Sequence, residues 1–147
     1  MGRYTDMFTE LVRLEIELWN GLNTRLESEA GVSLSRFQAL AAIRTSGGAA
    51  RVQDISAEMS ITVGATSKLV DRLERDGLAV RSAHPHDRRS SIVALTDGGA
   101  EVLAAADDAA ESHLRTVLGA ALPADRTELL LGQLALLRSR AGAQVAS

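Results

Sequence analysis

Two short helical patterns lie close together near the middle of the chain, and a hairpin pattern follows them. The helical patterns cover residues 52–59 and 63–76, so only residues 60–62 separate them. Thr62 is a suitable N-cap for the second helix, and Gly77 is a suitable residue to end it. So short a connection between two helices is typical of a helix-turn-helix.

The hairpin pattern consists of an incoming strand, residues 78–83, and an outgoing strand, residues 92–95. Pro85 favours a turn between them, so residues 84–91 are expected to form a polar loop. Helix, turn, helix and hairpin in this order predict a winged helix-turn-helix, in which the hairpin is the wing.

The tip of the predicted wing carries Arg88 and Arg89 next to Asp87. Paired arginines on an isolated loop are usually just solvated, but beside a helix-turn-helix they suit the phosphates and the minor groove of DNA. The Asp87 carboxylate can hold the Arg89 guanidinium extended, which would reduce the side-chain entropy lost on binding.

Basic charge is concentrated in the same part of the chain. Residues 31–95 carry nine Lys/Arg and six Asp/Glu, a net charge of +3, although the whole chain carries −3. The segments on either side, residues 1–30 and 96–147, each carry −3. Such an uneven distribution is the electrostatic footprint expected for binding to phosphates.

Helical spacing divides the second helix of the motif into an inward and an outward face. Thr66, Leu69, Val70 and Leu73 turn inward, and the small residues outside let the backbone approach the major groove. The alternative is a solvated face on which basic and acidic residues pair one turn apart. The residues of this helix predicted to contact DNA are Thr62, Val63, Gly64, Ala65, Ser67, Lys68 and Arg72.

Long amphipathic helices flank this segment. The first extends from about Thr5 to Ala30, where Gly31 ends it; Thr96 caps a second, and Pro123 opens the last. We therefore predict a mainly α fold with a small β-hairpin wing: a winged helix-turn-helix with long N- and C-terminal dimerisation helices. The last helix has more apolar surface than one flank of a monomer can cover, from Leu129, Leu130, Leu131, Leu134, Leu136 and Leu137.

Two motifs resemble those of the MarR family of bacterial transcriptional regulators. They are Leu69-Val70-Asp71-Arg72-Leu73-Glu74-Arg75-Asp76-Gly77-Leu78 and Asp87-Arg88-Arg89-Ser90, the latter followed by Leu95-Thr96. The resemblance covers nearly the whole chain in the order and length of its elements. It implies a single domain, 1–147, with a DNA-binding lobe at 33–96 and dimerisation helices at 1–32 and 97–147.

The resemblance also implies how the protein acts. A homodimer would place the recognition helix, residues 62–68 and beyond, in the major groove of a palindromic operator, as a rule to repress transcription. Arg89 corresponds to the arginine that enters the minor groove, steadied by Asp87, and Arg88 would replace it or add a phosphate contact. Ser60 is a departure, because the turn of this family often has glycine there.

Members of the family respond to small aromatic anions, to oxidants through cysteine, or to metals. The chain has no cysteine, which excludes a thiol sensor. Trp19 resembles a tryptophan of the urate-responsive branch, whose acid corresponds to Asp71 and whose wing arginine corresponds to Arg89. These three residues are the predicted ligand site, for an anion such as urate or salicylate. A tryptophan that only anchors the core or the dimer is the alternative.

The three histidines do not form a convincing metal site. His84 and His86 lie close together in the wing and His113 lies far away, so a third ligand is missing. No metal and no cofactor are predicted.

Other functional classes receive little support from the sequence. No nucleophile with a plausible base is found, so an enzyme is not expected. The chain shows no signal peptide and no membrane span, which predicts a cytoplasmic protein. A winged-helix module that binds proteins rather than an operator is the remaining alternative, but it would not need the paired arginines.

Overall fold

Helices account for most of the chain, and a small antiparallel sheet forms the wing, which confirms the predicted fold class. The structure is a computed structural model and describes residues 2–145. Within this range the elements are, in chain order, α1 (Arg3–Ala30), α2 (Leu34–Thr45), β1 (Ala49–Arg51), α3 (Val52–Met59), α4 (Val63–Arg75), β2 (Ala79–His84), β3 (Asp87–Leu95), α5 (Asp97–Leu118) and α6 (Ala124–Val145).

The chain divides into two compact units after Ala110. The first unit contains the elements from α1 to β3 and the first part of α5, and the second contains the rest of α5 and α6. None of the helices within residues 2–145 combines the length and apolar content needed to cross a membrane.

The sheet has a third strand that the sequence did not reveal. Its order is β1-β3-β2, and β1 pairs antiparallel with β3 from Ala49 opposite Ala94 to Arg51 opposite Ile92. The wing strands are also longer than predicted, so the expected loop over residues 84–91 is wrong. Backbone hydrogen bonds can continue a two-stranded ladder through polar residues, since they do not require apolar side chains.

The wing tip contains a bulge. Ala83 pairs with Ser91 and the next residue of β2, His84, pairs with Asp87. Residues 88–90 of β3 are therefore extra residues with no counterpart on β2, and both arginines of the tip lie among them. A bulge of this kind bends the strand and redirects its side chains.

Helix α4 is held by the face that the spacing predicted. Thr66, Leu69, Val70 and Leu73 are all buried. They pack in a core to which Val93 of the central strand also belongs. Because this face is fully used for packing, the opposite face of α4 is the one available to a ligand or a nucleic acid.

An ion pair connects α2 to α5. The Arg44 guanidinium donates a hydrogen bond to the Asp107 carboxylate. This hydrogen bond raises the pKa of Arg44 above its ordinary value, and the nearby negative charge adds to the effect while partial burial opposes it. An arginine pKa that is raised further leaves the guanidinium of Arg44 charged at any ordinary pH.

The turn of the helix-turn-helix has a strained residue. Ser60 has a φ of 54°, in the left-handed region, where the sequence comparison with the MarR pattern placed a glycine. The neighbouring Ser56 is buried and its hydroxyl donates to the carbonyl of Ile61 at 2.6 Å. This hydrogen bond helps to hold the turn in spite of the conformation of Ser60.

We expect Ser60→Gly to stabilise the protein by about 1 kcal/mol, because a left-handed conformation costs an L-residue roughly that amount and costs glycine little. Urea unfolding would measure the change. Ser46→Gly is the matched control, since Ser46 has a φ of −84° and its hydroxyl donates to the carbonyl of Ala42 at 3.1 Å. The control should be destabilised; a gain at both positions would contradict the assignment of strain to Ser60.

Candidate nucleic-acid interface

The residues predicted to contact DNA lie mostly at the surface of α4 and of the wing tip. Those that are exposed are Thr62, Val63, Gly64, Ala65, Lys68, Arg72, Asp87, Arg88 and Arg89. Ser67 is half-buried. The first turn of α4 therefore presents small side chains to solvent, and the cationic side chains Lys68 and Arg72 follow them.

Thr62 fixes the start of α4, as its type and position predicted. Its hydroxyl oxygen accepts a hydrogen bond from the backbone amide of Ala65 at 3.1 Å. Its carbonyl oxygen accepts from the hydroxyl of the buried Thr66 at 2.9 Å. The exposed first turn is consequently tied to the core, so its backbone is held in place before any ligand arrives.

Asp87 does not hold the Arg89 side chain, so this part of the prediction is wrong. Its carboxylate instead accepts a hydrogen bond from the backbone amide of Arg89 at 3.0 Å. Aspartate commonly forms such a bond two residues ahead in tight turns, because its short side chain reaches that amide readily. Asp87 thus shapes the backbone of the bulge and leaves the guanidinium of Arg89 exposed.

Arg81 is a site residue that the sequence analysis missed. It lies on β2, and its guanidinium Nη2 is 3.0 Å from the carboxylate of Asp71 and 3.3 Å from the carbonyl oxygen of Ser67. Glu74 lies next to the same side chain, 3.7 Å from Nε, and accepts from the Arg81 amide at 3.2 Å. The sequence offered one signal for this contact: the acids at 71 and 74 lie about one turn apart on α4 and could both face a basic residue of the wing.

A second arginine contact connects the ends of β1 and β2. Nη2 of Arg51 is 2.7 Å from Nε2 of His84, and the amide of His86 donates to Nδ1 of His84 at 3.1 Å. Both ring nitrogens of His84 therefore face protein groups. The described residues, 2–145, contain no cluster of three or more side chains suited to holding a metal ion.

Trp19 lines a cavity that it shares with α4. The cavity has a volume of about 380 Å³, and its lining includes Gln38 from α2 and Ala65, Leu69 and Arg72 from α4. Trp19 is 37% exposed, so the indole is accessible rather than a fully packed core residue. One tryptophan and one arginine thus border the same space.

The other two residues of the predicted ligand site lie elsewhere. Asp71 pairs with Arg81, and Arg89 lies in the bulge of the wing. Neither residue lines the Trp19 cavity, whereas Arg72, predicted only as a DNA contact, does. The structure therefore brings Trp19 together with Arg72 and not with Asp71 or Arg89.

Two helices carry large apolar side chains that the chain itself leaves exposed. In α6, no side chain among residues 124–144 is buried, and its leucines are 39–65% exposed. In α1 the exposed set is Tyr4, Met7, Phe8, Leu11, Val12, Leu14, Ile16 and Trp19. Apolar faces of this size are typical of protein–protein contacts.

Comparison with known proteins identifies the family. A sequence model of the MarR family matches residues 30–90. The multiple antibiotic resistance protein MarR of Escherichia coli K12 is 30% identical over 108 residues, which are 69% of this chain and 74% of that protein. The chain belongs to the MarR family. The motifs of α4 and the wing had indicated the same family from the sequence alone.

Solved structures of MarR-type proteins share the fold. Sco3205, a MarR family transcriptional regulator from Streptomyces coelicolor in complex with DNA, aligns with a TM-score of 0.84 at 22% identity, over 94% of this chain and 87% of that chain. The organohalide-sensing regulator RdhR-CbdbA1625, bound to 2,4-dichlorophenol, aligns with a TM-score of 0.84 at 15% identity, over 95% and 82%. At 15% and 22% identity these similarities show a shared fold and nothing further.

Proposed function

We propose that this MarR-family protein binds a palindromic operator as a homodimer and represses transcription until a small aromatic anion releases it. Residues 33–96 would form the DNA-binding lobe, and residues 1–32 and 97–147 would form the dimer. The observation that carries the proposal is the surface of α4, where an exposed first turn of small residues sits on a completely buried inner face.

The chemistry of this surface suits the two grooves of DNA. With no side chain at Gly64 and only a methyl at Ala65, the backbone can approach the floor of the major groove, where Thr62 and Ser67 can reach base edges. Lys68 and Arg72 would pair with phosphates, and the exposed Arg89 of the bulge would enter the adjacent minor groove. A module that binds only proteins has no use for this arrangement, so we do not favour that alternative.

The homodimer would cover the apolar faces of α1 and α6. Leucines that remain 39–65% exposed along a whole helix are costly in water, and a second copy presents a matching apolar surface. Two-fold symmetry would place two copies of α4 in successive major grooves, as a palindromic operator requires.

The effector site would be the cavity between Trp19 and Arg72. A planar anion of the urate or salicylate type could stack on the indole and pair with the guanidinium. Because Ala65, Leu69 and Arg72 of α4 line the same cavity, such a ligand would contact the recognition helix itself. Its binding would favour positions of α4 that do not fit DNA, which is a population shift. Trp19 is the basis for assigning the chain to the urate-responsive branch, and Asp71 would respond indirectly through its pairing with Arg81.

A promoter-shift titration tests the function directly. The full chain would be titrated onto the DNA upstream of its own reading frame at several salt concentrations, then challenged with urate and salicylate. We expect a mobility shift of the size of a dimer–DNA complex. The affinity for DNA should fall steeply with salt concentration, because phosphate contacts release counterions. Equal affinity for scrambled DNA of the same length would reject sequence-specific binding.

The fluorescence of Trp19, the one tryptophan of the chain, gives a separate test of the effector site. We expect salicylate to quench it, and Arg72→Gln to lower the affinity for salicylate about tenfold through loss of the charge-assisted pair. Salicylamide, which lacks the negative charge, is the control and should bind wild type and variant alike. Equal salicylate affinities in wild type and variant would exclude Arg72 from the site.

A further inference from the structure

We propose that Arg81 is a positioning residue that sets the angle between the wing and the recognition helix, so that α4 and Arg89 can reach their two grooves together. This inference rests on the proposed DNA binding and concerns a residue that does not itself contact DNA. It assigns a role in operator affinity to a partly exposed ion-pair cluster, which comprises Arg81, Asp71, Glu74 and the carbonyl of Ser67.

The contacts of Arg81 all lead to one stripe of α4. The carbonyl of Ser67, the carboxylate of Asp71 and the carboxylate of Glu74 follow each other at about one-turn intervals along the helix. Nη2 of Arg81 lies 3.3 Å from the first and 3.0 Å from the second, and Nε lies 3.7 Å from the third. A planar guanidinium that meets several fixed acceptors restricts direction as well as distance.

The covalent connection between α4 and the wing fixes only the base of the wing. Only residues 76–78 separate α4 from β2, and Gly77 has a φ of 73°. The amide of Leu78 donates to the carbonyl of Leu73 at 2.9 Å, which fixes the base of the wing. Further out along β2, Arg81 is the side chain that ties the hairpin to α4.

Arg81 offers little of its side chain for a direct phosphate contact. The side chain is 27% exposed, Nη2 faces acceptors on α4, and Nε is buried. Because its contacts all lie on α4, Arg81 would affect operator binding through the position of the wing.

A double-mutant cycle on the full-length dimer tests the proposal. Operator affinity would be measured for wild type, Arg81→Gln, Arg89→Ala and the double variant, with the DNA found in the promoter-shift titration. We expect Arg89→Ala to weaken binding about 5- to 150-fold for each wing and Arg81→Gln about tenfold. If Arg81 acts by placing Arg89, the double variant should bind no more weakly than Arg89→Ala alone.

Losses that multiply in the double variant would overturn the proposal, since Arg81 would then act independently of the wing. Wild-type affinity of Arg81→Gln would overturn it as well. Arg25→Gln is the charge-matched control, because Arg25 pairs with Glu29 within α1 at 2.8 Å. An equal loss in that variant would show a general charge effect and contradict a role in positioning.

Hydrogen exchange of the wing amides provides a readout that does not depend on DNA. We expect the amides of β2 and β3 to exchange faster in Arg81→Gln than in wild type, while those of α5 are unchanged. Should Arg81→Gln fail to fold, Glu74→Gln probes the same cluster from the helix side by both measurements. If the wild-type protein does not bind the operator, the proposed function is rejected. If the wing amides of the folded variant exchange as fast as those of wild type, the role of Arg81 is rejected.

Discussion

Replacing Gly99 with alanine is expected to lower the free energy of unfolding by about 3 kcal/mol or more. A Cβ atom at this position would lie 1.9 Å from the carbonyl oxygen of Leu78 and 2.9 Å from its carbonyl carbon. Neither neighbour can give way easily. The amide of Leu78 donates to Leu73 at 2.9 Å, and its carbonyl accepts from Thr96 at 3.2 Å.

The adjacent Gly98 offers a matched control for this prediction. A Cβ at Gly98 would have its nearest neighbours at 3.8 Å, an ordinary contact, and alanine has the higher helix propensity. Gly98→Ala should therefore leave stability unchanged or raise it by a few tenths of a kcal/mol. Urea midpoints would be compared at one protein concentration, because dimerisation would shift them. An unaltered midpoint in Gly99→Ala would contradict the tight contact between α5 and Leu78.

Arg89→Ala is expected to weaken operator binding by about 1–3 kcal/mol for each wing. A homodimer carries two wings, so the loss for the complete operator would approach about 2–6 kcal/mol if the half-sites act independently. The physical reason is the loss of the exposed guanidinium in the bulge of the wing, which the minor groove would receive. Fluorescence anisotropy of a labelled operator would measure the change, with sedimentation confirming that the dimer remains.

Arg88→Ala is the natural comparison, because Arg88 lies in the same bulge and is equally exposed. A phosphate contact affects all sequences alike. This variant should therefore lower the slope of log K against log salt concentration by about 1 for each wing without altering sequence preference. Arg89→Ala should in addition change the preference at the base pairs under the wing. The same uniform loss from both variants would show that neither arginine reads the minor groove.

The faces and caps of α4 could be predicted because they depend on local sequence. Thr66, Leu69, Val70 and Leu73 repeat at the helical period, and Thr62 has the side chain that an N-cap needs. Each of these features requires only residues within a few positions of one another. The resemblance to the MarR family rested on the same segment and the wing. The similarity to the MarR protein of Escherichia coli K12 confirms it.

Other features depend on residues distant in sequence and were missed for that reason. Strand β1 has only three residues, and it exists because residues 92–94 pair with it. The cluster around Arg81 forms only once the wing folds back on α4. The partner of Asp87 also differs from the expected one, because its short side chain accepts from the backbone amide of Arg89.

The bulge in the wing allows the sequence of the tip to change during evolution without a change in the core. Residues 88–90 lie outside the paired ladder, while Val93 a few positions later is completely buried. Insertions, deletions or substitutions in the tip would leave the pairing of the central strand, and hence the core, as it is. If the proposed function holds, changes in the tip would alter operator preference without a cost in folding stability.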